Sequence, residues 1–493
     1  MKKFVIAGAV VVALVGAAAA ALPLAERWLA DRIHAEVERD GTVTVGTVEV
    51  GLLDRRITVH DVRPVSPGGG LSAERWQVTG ISWPLDELMK GHTPLTGFRL
   101  GDPLRAERVE VDKLRIAMPG GQSWSFGALI LEGVDLDRFD ARVAPGASQF
   151  AMLSARVVAA LKLRHFEEHN VIYTLPGTSD TAGFQLLSGD DVDHGRFGAI
   201  KLGNFEATAK TAVEPAFSMS ELRAEKLDLR QVIARMAQSS WRPGQPLGRL
   251  HVERSSATGF GGALLKRYGV SLDGIATETV HDGADVSRST TKVTNFVLVP
   301  PLRGLEGVQM RIALQAMGLK ELRLDLTCAG TEDRGKGELS IDRCLLVGTD
   351  LGEVGLTGSL IHADAAFWHV LDGGDAAELV NTKAALGGAR LVVVDKGLVE
   401  RSIRALSMAS GQSSAVTRAN VATEIRRFQP PNVMITEDMT RLLDTIAKFV
   451  EQGGTLTVEA RPDPPLGVDK LRYLSRPGPD LVSALGLSAT LSR

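Results

Sequence analysis

Few residues in this 493-residue chain have the types and spacing of a chemical site. His165-Phe166-Glu167-Glu168-His169 sets two histidines four positions apart, which a helix would bring to one face at a spacing that can hold zinc. The metalloprotease order H-E-x-x-H is not met, because Phe166 stands in its second position. The plainer reading is a polar helix end. Asp190, Asp191, Asp193 and Gly195 resemble a calcium loop, but counting from Asp191 the glycine falls fifth and Leu202 stands where the twelfth-position glutamate is needed. A polar turn is expected there. Gly259-Phe260-Gly261-Gly262 carries neither the dinucleotide-binding pattern nor a phosphate-loop lysine and hydroxyl, and reads as a loop. No G-x-S-x-G elbow occurs. These residues lead us to expect no enzyme, no cofactor and no bound metal.

The two cysteines, Cys328 and Cys344, allow one disulfide in an exported protein, worth about 3 kcal/mol for a loop of this length in the chain-entropy model. Two buried free thiols are the alternative. Ala329 to Gly337 reads as a turn, and a simple hairpin about it would set Cys328 opposite Glu338 rather than Cys344.

The elements that would position these residues begin with a membrane signal. After Lys2 and Lys3 an uncharged, small and apolar run extends from Phe4 through Leu14 to Leu22. As a helix it would be about 28 Å long, close to the ~30 Å hydrocarbon core. The lysines before it predict a cytoplasmic N-terminus and an exported remainder. We read residues 1–24 as an uncleaved transmembrane anchor. Ala17 to Ala21 offers small-residue sites for the competing reading, a cleaved signal peptide. Leu29, Ala30, Ile33 and Val37 recur at helical spacing, predicting an amphipathic helix over 25–40.

From Thr42 the texture becomes alternation. Val43, Val45, Val48 and Val50, then Ile57 and Val59, alternate with polar or small residues, with a turn between the runs. Val109-Glu110-Val111 leads to Leu114-Arg115-Ile116, and Leu322 to Leu326, Leu339 to Ile341 and Leu456 to Val458 repeat the pattern. Such strands belong to antiparallel sheets with one dry and one wet face. A phrase also recurs: Leu71-Ser72-Ala73-Glu74-Arg75, Leu104-Arg105-Ala106-Glu107-Arg108 and Leu222-Arg223-Ala224-Glu225-Lys226 each precede further alternation. It reads either as a preferred way of opening a strand or as a strand unit used repeatedly. Helices are expected over Ala151 to His165, Ala376 to Leu386, Leu398 to Ser410, Val416 to Phe428 and Glu437 to Glu451. The last has Thr436 as N-cap, Met439, Leu442, Leu443, Ile446 and Val450 as its stripe, and Gly453-Gly454 as its stop.

The fold class expected is α+β: a transmembrane helix, an elongated, mostly antiparallel β-rich body with a one-sided apolar face over 41–360, and a mixed α/β region over 361–493. Aromatic residues make up 5% of the chain, which suits an aliphatic core on sheets. The net charge of −3, with no long tract of one sign, argues against a nucleic-acid partner.

The opening of the chain resembles the AsmA-like proteins of bacterial envelopes. The likeness rests on the basic start, the single span, the helix through Ile33 and Val37, the valine alternation of Gly41 to Val50, then Leu53, Ile57-Thr58-Val59 and Asp61-Val62, and finally Leu71-Ser72-Ala73-Glu74. It covers residues 1–115 and continues to about residue 360 as general β texture, while the region after Ala376 departs from it. The resemblance implies a protein of the inner membrane with its bulk in the periplasm, active in outer-membrane assembly and lipid homeostasis. Its partners would be the phospholipid bilayer and bound phospholipid. An anchored scaffold for other envelope proteins is the alternative.

Overall fold

The computed structural model describes residues 22–39, 41–65, 70–81, 87, 90, 92–94, 96–117, 121–142, 149–175, 180–209, 212–238, 241, 250–283, 285–302, 304–372, 375–429, 435–471 and 480–493. Phe4, Leu14 and the rest of the apolar run up to residue 21 lie outside the described residues; Leu22 opens a described helix, 22–37. Among the described residues no helix is long and apolar enough to cross a membrane, so the expected transmembrane helix has no counterpart there.

The chain divides into two compact units, residues 1–216 with 223–251, and residues 217–222 with 252–493. The first holds β1 (Val43–Thr44), β2 (Val48–Gly51), β3 (Arg56–Pro64), β4 (Gly70–Thr79), β5 (Leu104–Ala117), β6 (Ser123–Leu136), β7 (Leu161–Thr174), β8 (Thr181–Asp193) and β9 (Arg196–Thr208). From β2 to β9 each strand pairs antiparallel with the next, and β1 pairs with β3. The alternation expected over 43–50 and 57–59 thus becomes the opening hairpin. The helix 22–37 lays Leu29 and Ile33 against Val45, Val50, Ile57 and Val59 in one apolar cluster. Its carboxylates pin it down: Glu26 accepts from the Leu52 N–H at 2.9 Å and Glu38 from the Val45 N–H at 2.8 Å. β10 (Phe217–Asp228) divides between the units after Leu222.

The second unit holds β11 (Arg254–Thr258), β12 (Val270–Ser271), β13 (Gly274–Asp282), β14 (Val286–Leu298), β15 (Leu322–Asp333), β16 (Glu338–Gly348), β17 (Gly352–Ile361), β18 (Ala385–Asp395), β19 (Thr455–Ala460), β20 (Leu466–Gly467) and β21 (Leu487–Ser492). All its pairings are antiparallel, running β11–β13–β14–β15–β16–β17–β18–β19–β21. Helices Leu398–Ser410, Ser414–Arg427 and Glu437–Gln452 join β18 to β19, and Val399, Ile403 and Phe449 from two of them cover Val393, Leu456, Val458 and Leu491. Thr436 accepts from the Met439 N–H and caps the third helix, as its sequence predicts.

Four expectations need correction. The body does not end at 360, because β17 pairs with β18 and the sheet continues into the region expected as a separate α/β part. The helix expected over Ala151 to His165 stops at Ala160; Leu161 and Leu163 alternate with Lys162 and Arg164, and the chain goes on as β7. Over Ala376 to Leu386 only the 3-10 turn Ala376–Asn381 is helical, since Ala385 and Leu386 already pair with β17 and β20. The segment Ala329 to Gly337 is not a turn: pairing runs on to Asp333 opposite Glu338, and a register shift after Ala329 brings Cys328 directly opposite Cys344.

Candidate functional site

Registers across β3 to β9 explain why the alternation breaks and restarts. In β5, Leu104 and Ala106 face one way, then Val109 and Val111, then Leu114 and Ile116; the phase slips by one residue at Glu107 and again at Lys113. The residues opposite are Val134 and Leu136, then Leu129 and Leu131, then Trp124 and Phe126, with slips at Gly133 and Gly127. In β7 the slips fall at Arg164 and Asn170, in β8 at Gln185 and Asp191, and in β9 at Gly198 and Asn204. Within each of β5 to β9 the two slips are six positions apart.

The slips line up as two rows crossing the sheet. One runs Asp61, Glu74, Lys113, Gly127, Asn170, Gln185, Asn204; the other begins at Arg55 and Gly80, just outside β3 and β4 and joined by a backbone hydrogen bond, and goes on through Glu107, Gly133, Arg164, Asp191, Gly198. Asp61, Lys113, Asn170 and Asn204 of the first row and Gly80, Gly133 and Asp191 of the second have positive φ, a left-handed conformation that turns an extended chain and resets its facing. The rows are wholly polar or glycine. Lys113 meets Glu74 at 2.5 Å, Arg55 meets Glu107 at 2.8 Å, and Asn204 donates to Gln185 at 2.8 Å. Strands come close there: a Cβ on Gly133, whose φ is +63°, would lie 3.0 Å from that of Arg164.

These breaks let one face stay apolar from β3 to β9, Glu168 apart. Its central line is Val59, Trp76, Val111, Leu129, Glu168, Leu187, Leu202. Leu129, Leu131, Leu187, Ile200 and Leu202 are only half-buried, so the face is not packed shut around them. The opposite face is a charge ladder. Arg75 reaches Asp112 at 2.6 Å and Glu110 at 3.2 Å, and Arg108 reaches Glu110 at 2.6 Å.

His165 and His169 lie on that ladder, not on a helix. Both Nε2 atoms contact Glu167, at 3.2 and 2.8 Å, and His165 Nδ1 meets Asp190 at 2.7 Å. The Asp190 hydrogen bond is the chief reason the His165 pKa is raised, and the hydrogen bond from His169 the chief reason the Glu167 carboxyl is lowered. The two histidines therefore share a carboxylate, and no group of three or more metal-ligating side chains occurs among the described residues. Asp193, His194, Gly195 and Arg196 form the β8–β9 turn, with φ of +52° at His194 and +86° at Gly195. Gly259 to Gly262 is loop, held to Ser218 and Ser220 by backbone hydrogen bonds.

Glu168 is the one charged residue of the central line. It falls between Leu129 and Leu187 across the strands and between Phe166 and Val171 along its own. Its carboxyl has no hydrogen bond or ion pair among the described residues, and burial alone pushes it up to about 7. Reading 165–169 as helix hid it. Taken as strand, the apolar pairs Leu161/Leu163 and Phe166/Glu168, then Val171/Tyr173, place a glutamate where a leucine is expected.

In the second unit Cys328 and Cys344 are bonded to each other across β15 and β16, and neither described cysteine is free. A groove of about 600 Å³ opens among the helices, lined by Leu406, Val421, Ile425, Phe428, Leu443 and Ile446.

A family model described only as an uncharacterized protein matches residues 345–492, from within β16 to the end of β21. No curated protein matches the chain. The matched region lies in the second unit, apart from the residues that carry the AsmA-like resemblance.

Proposed function

We propose that this chain is a non-enzymatic, membrane-anchored protein of the bacterial envelope that binds or guides lipid on the apolar face of its first sheet. The observation that carries the reading is a face kept largely apolar across β3 to β9 by two rows of phase breaks, yet left half-buried along its central line from β6 to β9. Acyl chains suit such a surface, since each CH₂ removed from water contributes about 0.8 kcal/mol. Two further features support export and attachment. A disulfide persists in an oxidising compartment. Leu24 and Trp28, 72% and 47% exposed, stand on the helix that directly follows the apolar run, where an interfacial tryptophan would sit.

The test is a photo-crosslinking amino acid placed at Leu187 on the apolar face or at Glu110 on the charged one, in the full chain purified from membranes. Phospholipid adducts at position 187 alone are expected. Adducts at neither position, or equally at both, would end the proposal. Carbonate extraction checks the anchor: the full chain should stay with the membrane pellet, and a chain lacking residues 1–24 should leave it.

A second reading, a scaffold for other envelope proteins, is favoured by the helical groove of the second unit, in whose lining Leu406 and Phe428 are 48% and 56% exposed. Its check is loss of partner pull-down on Phe428→Glu, with crosslinking at position 187 unchanged.

A further inference from the structure

The placement of Glu168 says more about what the apolar face would hold. The neighbouring strands β6 and β8 present Leu129 and Leu187 to it, and Phe126, Leu131, Phe184 and Gly189 along the same face; none of these is charged or titratable. The other ionisable groups of its own strand bring no cation to it: His165 and His169 bind Glu167 on the opposite face, Arg164 pairs with Glu132, Lys162 stands across from Asp135 and Asp193, and Tyr173, on the same face beyond Val171, is a phenol packed on Trp124. The described protein thus supplies an acid here and no cation to meet it. A bare hydrocarbon chain would gain nothing from this carboxyl and would strip its remaining water, so leucine would serve such a ligand better.

We propose that Glu168 is the specificity-determining residue of this face and that it selects a phospholipid whose headgroup carries an ammonium. The proposal rests on the lipid-binding reading above. An ammonium brought against Glu168 makes a charge-assisted hydrogen bond in surroundings of low dielectric, the setting in which such bonds count most. A purely anionic headgroup meets like charge in the same place. The proton linkage has a definite sign. The ammonium pairs with the carboxylate, so its binding releases the proton that Glu168 holds at low pH, and the preference grows as pH rises.

The experiment offers the full chain vesicles of equal parts phosphatidylethanolamine and phosphatidylglycerol with matched acyl chains, at pH 6 and pH 8, and counts bound lipid by native mass spectrometry. At pH 8 phosphatidylethanolamine should be enriched about tenfold, the size of one hydrogen bond to a charged group, and less so at pH 6. Glu168→Gln should bind both lipids alike, and Glu168→Leu should do the same, which keeps the result readable if one variant folds poorly. Equal binding by the unmodified chain, or a preference that survives Glu168→Gln, overturns the selectivity while leaving lipid binding intact. No bound lipid in any chain overturns the lipid reading itself and this inference with it.

Discussion

At the scale of single residues, Glu168 makes a prediction independent of any ligand. Its carboxyl has an ordinary value of 4.5 and stands at about 7 in the folded chain, raised by burial. Across that window the folded state holds a proton that the unfolded state has lost, so stability falls as pH rises from about 4.5 to 7 and levels off above. Because the group is partly exposed, the loss should be on the order of 1–2 kcal/mol, below what the full shift would imply. His165, also raised, loses its contribution as pH rises too. Urea unfolding at pH 5 and pH 8 should therefore be compared between the chain and Glu168→Gln; the pH dependence of the variant should be shallower by that amount. The cysteines give a second test. Their 16-residue separation implies that Cys328→Ser with Cys344→Ser lowers stability by about 3 kcal/mol, read from denaturant midpoints under non-reducing conditions.

At the scale of elements, helix ends were legible because local chemistry decides them. Thr436, Met439 and Gly453 mark one helix without help from the rest of the chain, and Thr436→Ala should destabilise by about 1 kcal/mol in thermal melts. The strands were legible as alternation but not in their facing. The recurring Ala-Glu-Arg phrase marks the phase slip itself: Glu74 and Glu107 stand on the two rows, with Ala73 and Ala106 turned to the apolar side before them. One sequence shows such a break without saying what lies opposite, and the opposite residues, Lys113 and Gly133, are what make it a turn of the whole sheet. Gly133→Ala should cost about 1–2 kcal/mol, because a side chain must adopt positive φ against Arg164. Gly203→Ala is the control: the nearest atom to its new Cβ would be 3.7 Å away, and stability should change little. The pairing of Cys328 with Cys344 was not legible because the polar residues Thr331, Glu332 and Asp333 read as turn yet continue the strand, and a one-residue shift at Ala329 then completes the register.

At the scale of the molecule, the sequence pointed to α+β architecture and antiparallel strands, but not to where the chain divides. Composition changes near residue 360, where helices become frequent, while pairing passes through it from β17 to β18. The helices there are a layer on the sheet. Removing 376–493 would take away β18, β19 and β21 and leave β17 as a bare edge. We expect that truncation to aggregate on size-exclusion chromatography, whereas Phe428→Glu should run as the full chain does. The six-position interval in the first sheet carries a consequence for how such a protein can change over time. Each added hairpin that keeps the interval joins its facets to those already present, so the surface can grow in reach by duplication. A single inserted residue between the two rows of one strand would put that strand out of step with both neighbours. Length is therefore open to variation while the profile across the strands is inherited unchanged, much as a moulding can be cut to any length from one die.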